Sequence, residues 1–476
     1  MISIRRLLAG LSIFLLTSCG DSGIVSLPRP LPFPTPAQHD LVVLTSQGPL
    51  TYFTDAAGAA GGLEHDLAEA FAQELGVAVK YLVVPPDALA AELATGRYHL
   101  AAAWLSPPAD DAVKTTPAFF STRDVLVQNE ASLPLAETAQ LAGRTVHVLQ
   151  GSRQAGLLAE LARDIPGLVV EEAGQGDILD LLQRLADGKI DAVAIDGSLE
   201  DMASQYFPAL RATLPLSGER PIVWYLGPHP NVELKARADA FIERVQRDGT
   251  LARLEERYFG HVRRLRQADV VKFLGQIEST LPRLRRHFEA AEAITGLDWR
   301  LVAAVAYHES HWDPNATSPT GVRGIMMLTE ETADRLGVGN RLDPRESILA
   351  GARYLNLLKD MLPDSVAEPD RTWLALAAYN IGPGHFNAAR RLAEQLKADP
   401  DAWYEMKRVL PLLAQPKYYE KLKSGRARGG EAVLLVESIR TYYDILARNA
   451  PAYRPSPRME GMAGMSGSAP GLKPPR

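Results

Sequence analysis

His308-Glu309-Ser310-His311-Trp312-Asp313-Pro314-Asn315, followed by Gly321-Val322-Arg323-Gly324-Ile325-Met326-Met327-Leu328-Thr329, is the most informative part of this 476-residue chain. Just upstream, Leu301, Val302, Ala303, Ala304, Val305 and Ala306 are apolar nearly all round, which predicts a buried helix. Asp313-Pro314 is expected to stop that helix, because proline disfavours helix at the residue before it. Glu309 then leaves the core at a helix C-terminus. Apolar surroundings and the negative end of the helix dipole both oppose its ionised form. A carboxyl raised in this way can donate a proton at neutral pH. Taken by itself, the same residue also reads as a surface or capping glutamate.

Outward from this stretch, helical spacing without strands runs from residue 260 to about 450. Helices are expected over 271–281, 282–295, 299–310, 330–336, 344–358, 372–380, 385–394, 403–413 and 431–448. This half reads as all-α. The first half alternates short apolar runs with amphipathic segments. Strands are expected over 41–44, 77–84, 100–104, 145–149 and 190–195, and a helix over 63–75 with Leu67, Phe71 and Leu75 on one face. Strands interleaved with helices imply α/β layers and mostly parallel sheets.

The chain is too long for one ordinary domain. Its net charge of -6 argues against a nucleic-acid partner, whose phosphates select a basic surface. Arg5 and Arg6 precede an apolar run over 7–16, too short to span a bilayer. Leu16-Thr17-Ser18-Cys19-Gly20 follows, and Cys19 is the single cysteine of the chain. No disulfide can therefore form within the chain, and the fold must rest on its core. Prolines alternate at Pro28, Pro30, Pro32, Pro34 and Pro36, the pattern of an extended polyproline spacer. The end of the chain, rich in Pro, Gly, Ser and Met, reads as disordered. His308-Glu309-Ser310-His311 is one residue short of H-E-x-x-H, whose histidines must sit at i and i+4, so neither a metal nor another cofactor is expected.

Several ordered motifs carry family resemblances. Residues 16–20 resemble a bacterial lipoprotein signal, in which Cys19 would be acylated and become the first mature residue. Gly20, in place of an aspartate, favours the outer membrane by that resemblance. The series Gly62-Leu63-Glu64-His65-Asp66-Leu67, Leu75-Gly76-Val77, Leu93-Ala94-Thr95-Gly96, Leu141-Ala142-Gly143-Arg144, Gly151-Ser152, Gly188-Lys189-Ile190-Asp191-Ala192 and Asp248-Gly249-Thr250-Leu251 resembles the periplasmic solute-binding proteins of the amino-acid-binding type. That resemblance implies two α/β lobes around a cleft. It places Tyr52, Trp104, Ser106, Gly151, Ser152, Arg153 and Asp196 where cleft contacts are expected, with ordinary packing as the competing account of each. The family's carboxylate-clamping arginine is missing, since the matching stretch reads Ser106-Pro107-Pro108-Ala109-Asp110-Asp111. A muropeptide is one candidate ligand. A rigid spacer and a regulator are the other readings of this half.

Glu309-Ser310, Gly324-Ile325-Met326-Met327-Leu328-Thr329, Ala377-Ala378-Tyr379-Asn380-Ile381-Gly382-Pro383-Gly384, and then Glu437, Arg440 and Tyr442, resemble the lytic transglycosylase family related to goose-type lysozyme. The implied roles are Glu309 as acid/base, Ser310 and Gly324 as the floor beside it, and Tyr379, Asn380 and Tyr442 as substrate contacts. Many members carry glutamine where Met327 stands, so packing is expected of Met327. Both halves together resemble the membrane-bound lytic murein transglycosylases, whose partner is peptidoglycan. The implied reaction cleaves the bond between N-acetylmuramic acid and N-acetylglucosamine without water, leaving a 1,6-anhydro end. A lysozyme-type hydrolase on the same fold and a muropeptide sensor are the alternatives. The expected division is a signal over 1–18, a tether over 19–39, a solute-binding-like domain over 40–262, a transglycosylase domain over 268–450 and a tail over 451–476.

Overall fold

A computed structural model describes residues 31–54, 58–108, 113–174, 176–227, 231–260, 265–318, 321–420 and 424–454. Cys19, the first prolines of the tether and most of the tail lie outside these residues.

The first half is a pair of α/β lobes followed by all-α structure, the periplasmic-binding-protein-like and lysozyme-like organisation expected. One sheet runs Val79–Val84, Leu41–Ser46, Leu100–Leu105, Arg220–Leu226, Phe120–Thr122. The other runs Leu210–Pro215, Asp124–Asn129, Ala192–Asp196, Thr145–Leu149, Val169–Ala173. Each sheet has two parallel and two antiparallel pairings, so the expectation of mostly parallel sheets needs correcting. The chain crosses between lobes at 122–124 and again at 215–220. Each crossing delivers a strand to the opposite sheet from the far end, which reverses its direction there.

The Leu63–Leu75 helix buries Leu63, Leu67, Ala68, Phe71 and Leu75 against the first sheet. The Phe71 ring lies 5.0 Å from Phe241 and 6.1 Å from Trp224, so this lobe is closed by aromatic packing that includes the late helix Val232–Arg247.

From Gln267 onward the regular elements are helices. Trp299–Ser310 is the central one, packed on Gly429–Asn449 and Leu281–Thr295. The Asp298 carboxylate caps its start by accepting the Arg300 N–H at 2.8 Å. Its end comes two residues before Asp313, at His311 and Trp312, both in left-handed conformation (φ 52° and 63°). The cause is the Trp312 indole, which is buried and donates to the Ala303 carbonyl at 2.8 Å. Folding that large ring back onto its own helix turns the chain before the proline acts. Similarly, the helix expected over 403–413 stops at Val409, and 3₁₀ structure follows over Leu410–Ala414 around Pro411.

Candidate active site

Glu309 projects from the last turn of the Trp299–Ser310 helix and is mostly buried. Burial alone pushes its carboxyl up to about 7, because the apolar surroundings penalise the charged form. His308 is driven the other way, to about 4, by burial and then by the nearby His311. It is therefore neutral at pH 7 and supplies no charge to its neighbour.

The floor beside Glu309 is held by short polar links. Ser310 Oγ donates within the buried interior, with the Ala306 carbonyl at 3.1 Å and the Ile325 carbonyl at 2.8 Å. The second contact ties the glycine loop to the catalytic helix. Gly324 adopts φ 83°, and a Cβ there would lie 1.8 Å from the Arg341 carbonyl oxygen. No other residue type fits that position without moving backbone. Met326 N–H reaches Ser347 Oγ at 3.3 Å, and the Tyr379 hydroxyl donates to the Met326 carbonyl at 2.9 Å. Tyr379 titrates well above its ordinary range, chiefly from burial and then from the proximity of Glu309. The tyrosine thus connects the loop, the Asp370–Ile381 helix and the carboxyl. Asn380 follows it, exposed at the helix end. Met327 sits half-buried at φ 47°, and its side chain has no group to donate to a sugar.

Tyr442 is buried, with its ring 4.9 Å from Tyr307 and 4.6 Å from Phe273. It braces the helix that carries Glu309. Asp313 is exposed and accepts the Asn315 N–H at 2.9 Å, the work of a turn residue. Glu437 and Arg440 lie elsewhere, at the seam between the two halves. The Glu437 carboxylate accepts from Trp403 Nε1 at 2.6 Å and Arg440 Nη1 at 3.1 Å. Arg440 Nη2 also reaches the Arg257 carbonyl at 2.7 Å, and Arg257 pairs with Asp66 at 2.8 Å and Asp370 at 3.4 Å. Lys407 pairs with Glu256 there. These groups dock the helical half onto the solute-binding half.

In the first half, Trp104, Ser106 and Asp196 come together. Trp104 Nε1 donates to Asp196 Oδ2 at 3.1 Å across the two lobes. Arg153 reaches the group through Asp124, at 3.2 Å. Ser152 caps the Arg153–Asp164 helix by accepting the Ala155 N–H at 3.2 Å. Tyr52 stands apart, its ring 5.5 Å from His65 and 5.2 Å from Tyr81. The sequence reading missed Arg220 and Asp124, both buried in this cluster. No short-range pattern marks Arg220, whose partner Ser106 is 114 residues away. Of the arginine-less stretch, 109–111 lie outside the described residues. Among the described residues no group of three or more His, Cys, Asp or Glu is placed to hold a metal ion.

Comparison with known proteins agrees with the two-part organisation. Residues 41–261 match the bacterial extracellular solute-binding proteins, family 3, and residues 286–401 match the transglycosylase SLT domain. A Methylobacillus flagellatus protein named membrane-bound lytic murein transglycosylase F is 43% identical over 95% of this chain and 96% of its own length. A Nitrosospira multiformis protein of the same name is 44% identical over 87% of each chain. Among solved structures, a variant of ArgBP from T. maritima covers 46% of this chain and 95% of its own at 22% identity, with a TM-score of 0.42.

Proposed function

The chain belongs to the membrane-bound lytic murein transglycosylase F family, and from that premise we propose that Glu309 is its one catalytic carboxyl. The activity is that of a peptidoglycan lytic transglycosylase, a lyase that cleaves the β-1,4 bond between N-acetylmuramic acid and N-acetylglucosamine.

Most glycosidases divide the work between two carboxyls. Glu309 has no such companion among the candidates: Asp313 caps its own turn, and Glu437 sits at the seam. One carboxyl suffices when the nucleophile belongs to the substrate. Protonated Glu309 gives its proton to the glycosidic oxygen, and the N-acetylglucosamine side leaves. The muramyl C6 hydroxyl then closes onto C1, and Glu309 carboxylate takes the hydroxyl proton. The carboxyl ends as it began, no water is consumed, and the product carries a 1,6-anhydro ring. A group titrating at about 7 suits both steps, since neither protonation state is costly to reach at neutral pH. Ser310 and Gly324 shape the floor, Tyr379 and Asn380 line the sugar groove, and Tyr442 acts through Tyr307 on the position of the helix.

The single observation behind this assignment is the mostly buried carboxyl at a helix end, without an ion pair among the described residues, close to Tyr379 and next to Ser310, which holds the glycine loop. Replacing Glu309 by Gln keeps shape and removes the proton. Turnover of purified murein is expected to fall by at least about 10²-fold with the circular dichroism spectrum unchanged. Retention of a tenth of the activity would remove Glu309 from the role.

The relatives are named membrane-bound, and no described helix is long and apolar enough to cross a membrane. We assign attachment to an acyl group on Cys19 after cleavage of residues 1–18, at the periplasmic face of the outer membrane. Residues 19–39 then act as tether, 40–262 as a regulatory solute-binding-like domain that muropeptides would reach, and 268–450 as the catalytic domain.

A further inference from the structure

The cleft between the two lobes is bridged by the chain's own side chains. Arg220 begins the Arg220–Leu226 strand of the first sheet, where the second crossing enters it, and only 6% of it is exposed. Its guanidinium donates through Nη1 to Ser106 Oγ of the same lobe at 2.9 Å. Through Nη2 it pairs with Asp196, and its Nε lies 3.6 Å from Asp124 Oδ2; both carboxylates belong to the second sheet. Asp196 also accepts from the Trp104 indole at 3.1 Å and from Thr122 Oγ1 at 2.7 Å. Asp124 accepts in addition from Arg153 Nε at 3.2 Å and Gln154 Nε2 at 2.8 Å. At another point the lobes touch backbone to backbone. Gly151 of the second lobe has φ 67°, and a Cβ on it would lie 2.2 Å from Asp87 Cα of the first.

Asp124 has Arg153 of its own lobe as a cation, but the cation paired with buried Asp196 is Arg220 of the other lobe, and a buried charge left unpaired is strongly destabilising. In a binding protein that opens and closes, a ligand's cationic group would meet this need only while bound. Here the cation is covalently part of the other lobe. We propose that Arg220 is a built-in ligand: its guanidinium occupies the cationic subsite formed by Asp124 and Asp196 and latches the lobes shut without any solute. The subsite is built for a guanidinium or ammonium group, and free amino acids are excluded from it because that place is taken. Any solute that opens this half must first break the Arg220 pairs.

The test uses the full chain. Isothermal titration of the natural protein with free L-arginine, L-glutamine and L-glutamate at millimolar concentration is expected to give no binding. Arg220→Ala leaves Asp124 and Asp196 without their bridging cation. Its first melting transition is expected to fall by on the order of 10 °C, and small-angle scattering is expected to show a larger radius of gyration. Methylguanidinium chloride should recover part of that loss, and sodium chloride at equal ionic strength should not. Where the alanine variant does not fold, Arg220→Lys decides. It keeps the charge but cannot span Ser106 and both carboxylates, so it too should open. The proposal is overturned if the natural protein binds one of these amino acids with micromolar affinity. It is equally overturned if the variant that folds melts and scatters like the natural protein, or if methylguanidinium does no more than salt.

Discussion

Replacing Glu309 by Gln should make the protein more stable, and only at the pH where the enzyme works. The native carboxyl titrates at about 7, against 4.5 when solvated. That difference corresponds to about 3 kcal/mol, and the side chain's residual solvent contact trims it to about 2 kcal/mol. The direction follows from proton linkage. Between these pH values the native state holds a proton that the unfolded chain releases, so native stability falls as pH rises from 4.5 through 7 and stays low above. Glutamine has no proton to lose and escapes the penalty. At pH 4 the two proteins should melt together. At pH 8 the variant should be about 2 kcal/mol more stable, a rise of roughly 4–8 °C in the transition of the helical half. Scanning calorimetry of both full chains across pH 4–8.5 reads this directly, because every other titrating group cancels in the difference. A gap that does not change with pH, or a variant that melts lower at pH 8, would refute the account of a desolvated acid.

The same raised carboxyl should impose an alkaline limb on catalysis. kcat/KM on murein should fall about tenfold per pH unit above roughly 7, as the proton donor is lost, and initial rates across pH 5–9 check it. Gly324→Ala places a methyl group 1.8 Å from the Arg341 carbonyl oxygen at φ 83°, and should cost on the order of 3 kcal/mol in urea unfolding together with most of the turnover. Tyr379→Phe removes the hydroxyl that holds the Met326 carbonyl; the expected loss is about 1 kcal/mol in the same assay, with a fall in turnover as the loop loosens.

Local patterning made much of this molecule legible. The apolar run 301–306 announced the buried helix, and the ordered glycine, Ala-Tyr-Asn and late-tyrosine segments gave meaning to Glu309. What escaped depends on contacts distant in sequence. The mixed sheets arise from two lobe crossings that no periodicity marks. The helix ends at Ser310, the expected position, but the stop is made by a tryptophan reaching back to Ala303 and not by the nearby proline. Glu437 stands five residues and Arg440 two residues before Tyr442 on one helix, yet Arg440 reaches Arg257 of the solute-binding half while Tyr442 faces Tyr307. The rotation of a helix between such neighbours is settled by tertiary packing. Arg220 was invisible for the same reason: its significance lies wholly in carboxylates on the other lobe.

The central claim is that one carboxyl performs both proton transfers while the substrate supplies its own nucleophile. The mass of the muropeptides released from purified sacculi by the natural enzyme tests this most directly. Anhydro-ended products, each lighter by one water than the hydrolysed form and appearing without ¹⁸O from labelled solvent, are the expected result. Reducing-end products carrying one solvent oxygen would contradict it, and would require a second carboxyl or a bound water beside Glu309.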